Sequence, residues 1–252
     1  MLTIIIDNWI ALAPSLQTQA DWRSWLHRPY TLANDWQAPA TKVPTMQRRR
    51  FSNLSRLVLS CVQELPQASQ ADFSVFASRH GEIVTTYSLL ENLVQQQPIS
   101  PIGFSQSVHN TSAGLFTLIE KIQQASTTIA AQQDTFAVGL IEAACYLNAH
   151  PEQKVLLVCF DSTLVAPYQT FLPQTPFDYC VAFLLSRPQQ EVGNHVLSLT
   201  LTPNGKTTES PHLAKYPAVC HFLQWWLAES DTSLDQANFS LPCSGQMLHV
   251  TR

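Results

Sequence analysis

Apolar positions recur along this chain in two rhythms. Leu54, Leu57, Val58, Cys61, Val62 and Leu65 follow the three-and-four spacing of one helix face, which predicts a helix over Ser52–Leu65. The same spacing predicts a helix over Ile83–Gln96, with Leu89, Leu90, Leu93 and Val94 turned inward and Pro98 ending it. Thr135–Asn148 places Phe136, Leu140, Ala144 and Leu147 on one face, and Pro217–Leu227 is amphipathic with a proline at its start. Leu115–Ile122 is apolar and helical, and a shorter helix is expected near Asp21–Leu26. Strands are expected at Leu2–Ile6, Phe73–Ala77, Thr127–Ala131, Tyr179–Ser186 and His195–Thr202. Val155–Phe160 is continuously apolar, the mark of a strand covered on both faces. Residues 13–46, punctuated by Pro14, Pro29, Pro39 and Pro44, read as loop around the short helix, and Ile99–Gly114 reads as polar and irregular. Strands and helices mostly alternate, so the class is α/β with a central sheet.

Composition narrows the function. The 252 residues are 45% hydrophobic, enough for one large domain or two small ones. Only 13% are charged, which fits either a surface covered by a partner or a Gln/Ser/Thr-rich one. A net charge of −4 gives nucleic-acid binding no support. The basic run Arg48-Arg49-Arg50 is either solvated surface or a contact for an acidic partner such as a carrier protein. Cysteines at 61, 145, 159, 180, 220 and 243 form no C-x-x-C pair, and four lie in apolar runs. That pattern predicts reduced, buried thiols in a cytoplasmic protein, with neither a disulfide framework nor a zinc site. The start, Met1 to Asp7, meets an acid early and lacks a basic flank, so no signal peptide is expected, and no run is long enough to span a membrane.

Gln133 is the candidate for chemistry, by what it lacks. It lies between the apolar run Ala125–Gln132 and the helix starting near Thr135. Strand-to-helix elbows hold nucleophiles in acyl-transfer folds, because a helix N-terminus lowers a thiol pKa and donates N–H groups to an oxyanion. A neutral amide cannot attack a thioester. His109 and His80 have no Asp or Cys neighbour in sequence and read as structural. There is no nucleotide loop and no metal spacing.

Ile99 through Gly114, I-S-P-I-G-F-S-Q-S-V-H-N-T-S-A-G, resembles the β-ketoacyl synthase segment that runs I-S-P, a short variable stretch, Asn, then Ala-Gly. Pro101, Asn110, Ala113 and Gly114 fall in register, and continuing without a gap the family's catalytic cysteine lands on Gln133. Gln47–Arg56 resembles the arginine-rich entry to that family's first long helix, and Phe177–Leu185 the strand closing its N-terminal half. The resemblance spans roughly residues 1–202 and implies the N-terminal half of a thiolase-like (ketosynthase) fold, with a mixed central sheet and helices on both faces. Residues 203–252 then form a short extension with a Trp225-Trp226 helix, within the same compact domain. Two features depart from the family: the cysteine is missing, and its C-terminal half, with two histidines and a glycine-rich loop, has no counterpart among only seven glycines.

Glutamine at the nucleophile position resembles the chain-length-factor branch, and short chains of this kind resemble such subunits from aryl polyene pathways. The resemblance implies a pseudo-enzyme with no cofactor. It would pair with a full-length ketosynthase as a heterodimer or larger hetero-oligomer, subunit sheet to subunit sheet, and shape the acyl tunnel of that partner, which works on acyl-carrier-protein thioesters. Gln133 would fill the space of the lost thiol and hydrogen-bond nearby backbone. Ile83, Thr86 and Leu90 would gate chain length, although they also fit a plain buried helix face. Gly103 would remove an aromatic plug or simply serve a turn. Phe104 and Phe116 would line the tunnel or pack the core. Pro101, Asn110 and Gly114 are expected at a structural turn. The competing readings are a minimal acyltransferase or hydrolase using Ser112 or Cys159 with His109, and a binding module for acyl chains or carrier protein.

Overall fold

The computed structural model describes residues 1–33, 36–170, 177–188, 196–203, 215–228 and 238–252. In chain order these form β1 (Leu2–Leu12), α1 (Gln19–His27), α2 (Thr45–Arg48), α3 (Asn53–Glu64), β2 (Phe73–Ala77), α4 (Ile83–Val94), α5 (Pro101–Ser105) and α6 (Thr111–Glu120). There follow β3 (Ala125–Ile129), α7 (Thr135–Ala149), β4 (Lys154–Asp161), α8 (Ala166–Gln169), β5 (Tyr179–Ser186), β6 (Val196–Thr202), α9 (Ala218–Leu227), β7 (Asn238–Cys243) and β8 (Gln246–Thr251). The strands make one eight-stranded sheet in the order β3-β2-β4-β5-β1-β6-β8-β7. β2 runs parallel to β3 and to β4, and the other neighbouring pairs are antiparallel.

The apolar run of β4 is explained by cover on both sides. Val155, Leu157 and Cys159 join a core layer with α1, α7 and α9, while Leu156, Val158 and Phe160 join the layer built on α3 and α6. Alternate residues therefore point into different cores, and neither set can be polar. On the first face, α7 packs against β1, β2, β4 and β7. Its approach to the sheet needs Gly139, where a Cβ would stand 3.0 Å from Ala77 Cβ and 3.3 Å from Leu157 Cδ1.

α9, β7 and β8 cover the same face. Phe222 of α9 meets the rings of Phe136, Phe183, Trp226 and Phe239, and Trp226 stands edge-on to Trp9 at 6.0 Å. Aromatic pairs of this kind add about 0.5–1.5 kcal/mol each beyond the area they bury. Gln224 Nε2 donates to the Leu26 carbonyl, tying α9 to α1. The C-terminus of α9 is capped by Arg252, whose Nη1 donates to the carbonyls of Trp225, Trp226 and Ala228.

Several sequence expectations change. β1 continues to Leu12, past a register shift between Ile6 and Asn8. Asp7, at that irregularity, turns its carboxylate to Ser186 Oγ and Lys154 Nζ, so an acid that looked like a strand end is a bulge. Ile99–Gly114 is not irregular: Ser100 Oγ caps α5, and α6 starts at Thr111. Pro101 is therefore the first-turn proline of α5 and Asn110 the N-cap residue of α6, while Gly114 lies inside α6 and not in a turn. α4 starts at Ile83 as expected and ends at Val94, two residues before the expected Gln96, and has no buried residue, with Leu90 47% and Val94 83% exposed. Among the described residues α4 meets chiefly α5, with a ring contact from Tyr87 to Tyr168 of α8, and much of its apolar stripe is left uncovered. β7 and β8 escaped the sequence reading. The sixth strand begins at Val196, and the expected His195 lies outside the described residues.

Candidate functional site

The elbow is built as the sequence suggests, with one surprise. β3 ends at Ile129, a tight 3-10 turn covers Gln132–Asp134, and α7 follows directly. Gln132 takes the left-handed conformation at φ 52°. Thr135 Oγ1 accepts the Ala131 N–H at 3.0 Å and donates to the Gln132 carbonyl at 2.8 Å, closing the turn on itself. Asp134 holds the N-cap position of α7 but makes no side-chain cap; its carboxylate accepts the Ser244 N–H at 2.8 Å instead. Gln133 is exposed, and its amide makes no hydrogen bond among the described residues. The expected bond to nearby backbone is thus not formed, because the turn satisfies its own polar groups.

A second layer, missed by the sequence reading, supports the ends of β2 and β4. Asp161 is buried and its carboxylate accepts from Ser78 Oγ at 2.8 Å, His80 N at 2.9 Å and Arg79 N at 3.1 Å, with Tyr179 Oη at 3.4 Å. Burial pushes this carboxyl above its ordinary range, opposed by the hydrogen bonds from the His80 N–H, Ser78, the Arg79 N–H and Tyr179. His80 is half-buried; desolvation, then the Arg79 guanidinium, bring its imidazole down to about 4. Glu82, also buried, accepts from Ser52, Ser55 and Thr85 hydroxyls at 2.7, 2.6 and 2.9 Å. The only hint in the sequence was an acid ending the most apolar strand, where an unpaired carboxylate would be costly.

Of the tunnel candidates, the structure brings five together. Ile83, Thr86 and Leu90 lie on α4, and Gly103 and Phe104 on α5, which packs against α4. Ile83 is half-buried, Thr86 Oγ1 donates to the Ser107 carbonyl at 3.0 Å, and Phe104 is 67% exposed. Gly103 has a negative φ within α5 and its N–H donates to Ser100 Oγ, so it is a helix residue and not a turn glycine. Phe116 is separate: it is 1% exposed and packs on Phe76 in the other core layer. It packs in the core built on α3 and α6 and also borders a cleft there. Arg48 is tied down, donating to the carbonyls of Pro39 and Ala40, while Arg49 and Arg50 are exposed.

The alternative catalytic sets do not assemble. Ser112 Oγ is buried with Ser55 Oγ at 3.5 Å, whereas His109 Nε2 lies 2.8 Å from the Ser78 carbonyl. Cys159 is buried in β4, and desolvation followed by the Asp161 charge pushes its thiol far up. The described residues hold five buried free cysteines and an exposed one, Cys145, and no group of metal-ligating side chains. A cleft of about 600 Å³ lies between α3, α6 and the Lys42–Gln47 segment; of the tunnel candidates Phe116 lines it, whereas Gln133, Ile83, Thr86, Leu90, Gly103 and Phe104 do not. No helix among the described residues is long and apolar enough to cross a membrane.

Comparison with known proteins follows the same lines. The sequence model of the β-ketoacyl synthase N-terminal domain matches residues 22–239. A solved structure of a ketosynthase (ApeO) in complex with its chain length factor (ApeC) from Xenorhabdus doucetiae contains a chain 30% identical to this one. The match covers 100% of both chains with a TM-score of 0.79. The ishigamide ketosynthase/chain length factor matches at 15% identity and a TM-score of 0.60, over 79% of this chain and 67% of that one. A type II polyketide acyl-carrier protein in complex with its ketosynthase, AntDE:AntF, matches at 11% and 0.58, over 75% and 64%. No curated protein matches the chain. The fold is the thiolase-like ketosynthase fold, represented by its N-terminal half.

Proposed function

We propose, since this chain belongs to the β-ketoacyl synthase family through that family's N-terminal domain, that it is a non-catalytic chain length factor. It pairs in the cytoplasm with a full-length ketosynthase and shapes the acyl tunnel of that partner during aryl polyene synthesis on acyl carrier protein. The observation that carries the proposal is Gln133, an exposed amide in the turn between β3 and α7, where the family's register puts its cysteine. The scaffold that presents a nucleophile is kept and the reacting atom is absent.

Two surface features support pairing. β3 is the outer strand of the sheet and carries no charge, proline or bulge to discourage another strand. On α4, α5 and the segments around them, Val84, Leu90, Leu93, Val94, Ile99, Ile102, Phe104 and Val108 are exposed apolar residues, more than a lone chain ordinarily leaves in water. The five clustered tunnel candidates belong to this surface, so their side chains reach a partner without crossing this chain's own core. Arg49 and Arg50 are free to meet an acidic carrier protein. The solved complex of a ketosynthase with its chain length factor, similar over the full length, favours this reading over a hydrolase.

Co-expression with a full-length ketosynthase from the same genome tests the proposal. The expected result is a soluble, stable complex that condenses acyl-carrier-protein thioesters only when both chains are present. A well-behaved monomer with hydrolytic turnover of its own would overturn it.

A further inference from the structure

We infer that the β7–β8 hairpin is a clamp that sets the elbow and the adjoining β3 edge in the shape the ketosynthase pairs with; this rests on the pairing proposed above. β3 and β7 are the two opposite ends of the sheet. Yet the turn joining β7 to β8 touches the elbow, where the Ser244 N–H donates to the Asp134 carboxylate at 2.8 Å across 110 positions of sequence. β7 also packs against the elbow turn and against α7. The sheet therefore coils around α7 until its far edge meets the segment leaving its near edge.

The turn is made for this contact. Cys243 pairs with Gln246, and the two residues between them, Ser244 and Gly245, have φ of 50° and 80°. Positive φ at both central residues gives a tight two-residue hairpin turn whose first N–H points away from the ladder. Cys243, just before it, is buried against the fold. On the other side, an aspartate at an N-cap position ordinarily accepts an N–H from its own first helical turn. Asp134 gives up that local bond for the hairpin. Its own N–H donates to the Ala131 carbonyl at 2.9 Å, and Thr135 ties Ala131 to Gln132, so a displacement of Asp134 passes directly into the residues that end β3. Asp134 is thus a positioning residue that acts through the elbow backbone.

The test combines three variants with two measurements. Asp134→Ala removes the acceptor without removing a helix cap. Asp134→Asn keeps an acceptor oxygen, and Ser244→Gly keeps the N–H at a φ glycine adopts freely. Hydrogen exchange is read on the full chain as it purifies, alone or with the ketosynthase; pairing is read as the apparent Kd of the complex. Asp134→Ala is expected to speed exchange of amides 131–136 by about tenfold while leaving β4 and β5 unchanged. It is also expected to weaken pairing by about tenfold, with Asp134→Asn and Ser244→Gly behaving as wild type. Unchanged elbow exchange, a uniform rise through β4 and β5, or wild-type pairing despite a loosened elbow each overturn the inference. If even the wild-type chain captures no ketosynthase, the pairing proposal fails, and the exchange measurement still decides whether the clamp exists.

Discussion

Gly81 and His109 meet with no room for a side chain between them: a Cβ on Gly81 would stand 2.8 Å from His109 Cδ2 and 3.2 Å from its Cα. Gly81 also has φ +53°, a conformation an L side chain adopts at a cost. The His109 ring is fixed by its Nε2, 2.8 Å from the Ser78 carbonyl, so it cannot swing aside cheaply. Gly81→Ala is therefore expected to destabilise the fold by about 2–4 kcal/mol, adding strain to overpacking. A fall in the urea midpoint with an unchanged slope would show it; a midpoint equal to wild type would refute it.

The same turn is anchored from below by Asp161. Removing its carboxylate leaves Ser78 Oγ and the N–H groups of Arg79 and His80 without their acceptor. Asp161→Ala is expected to cost about 3–5 kcal/mol, the range for breaking a buried hydrogen-bonded charge site. Part of the carboxylate's benefit is offset by its own desolvation, so the isosteric Asp161→Asn should cost less. Thermal unfolding of the two variants, compared side by side, distinguishes a hydrogen-bond anchor from a mere space-filler, for which they would be equal.

His80 gives a pH dependence of definite sign. Its folded pKa is held near 4, below the ordinary 6.5, so the unfolded chain binds the proton more readily between those values. The associated stability is present above pH 6.5 and is lost as pH falls toward 4. Asp161 works in the opposite sense, because burial raises its folded pKa and protonation relieves it. Unfolding midpoints measured from pH 7.5 to 4 should therefore decline less steeply in His80→Gln than in wild type. Parallel curves would mean that His80 does not titrate differently on folding.

Local pattern carried the sequence reading a long way. β4 was legible because burial on both faces forces a continuous apolar run, and α3 because its buried stripe repeats at helical spacing. α4 misled because its stripe is just as regular but faces away from this chain, and periodicity records which face is apolar without recording what covers it. β7 and β8 were missed because their residues include Pro242, Gln246 and His249, and their strand character comes from pairing with each other and, for β8, with β6. The elbow was legible at Gln133 as a register with a family motif. Its long-range support at Ser244, and the acid at 161 that holds the facing turn, were not, since nothing local marks two residues more than 80 positions apart as partners.

Gln133 and Gly103 separate a structural role from a tunnel role. Gln133 is exposed and unbonded, so Gln133→Ala is expected to change stability by less than about 0.5 kcal/mol and to leave condensation by the complex largely intact. At Gly103 a new Cβ would meet Ser100 Cβ at 3.5 Å and Leu89 Cδ2 at 3.6 Å, ordinary contact distances, so a larger side chain is accepted at the backbone. The Cβ of Gly103→Phe would point toward Leu89, placing the ring at the seam between α5 and α4, the two helices that carry the proposed tunnel residues. The complex should therefore form at wild-type affinity and release shorter products, read as a shift in the chain-length distribution by mass spectrometry. An unchanged distribution from an intact complex would remove Gly103 from the tunnel wall.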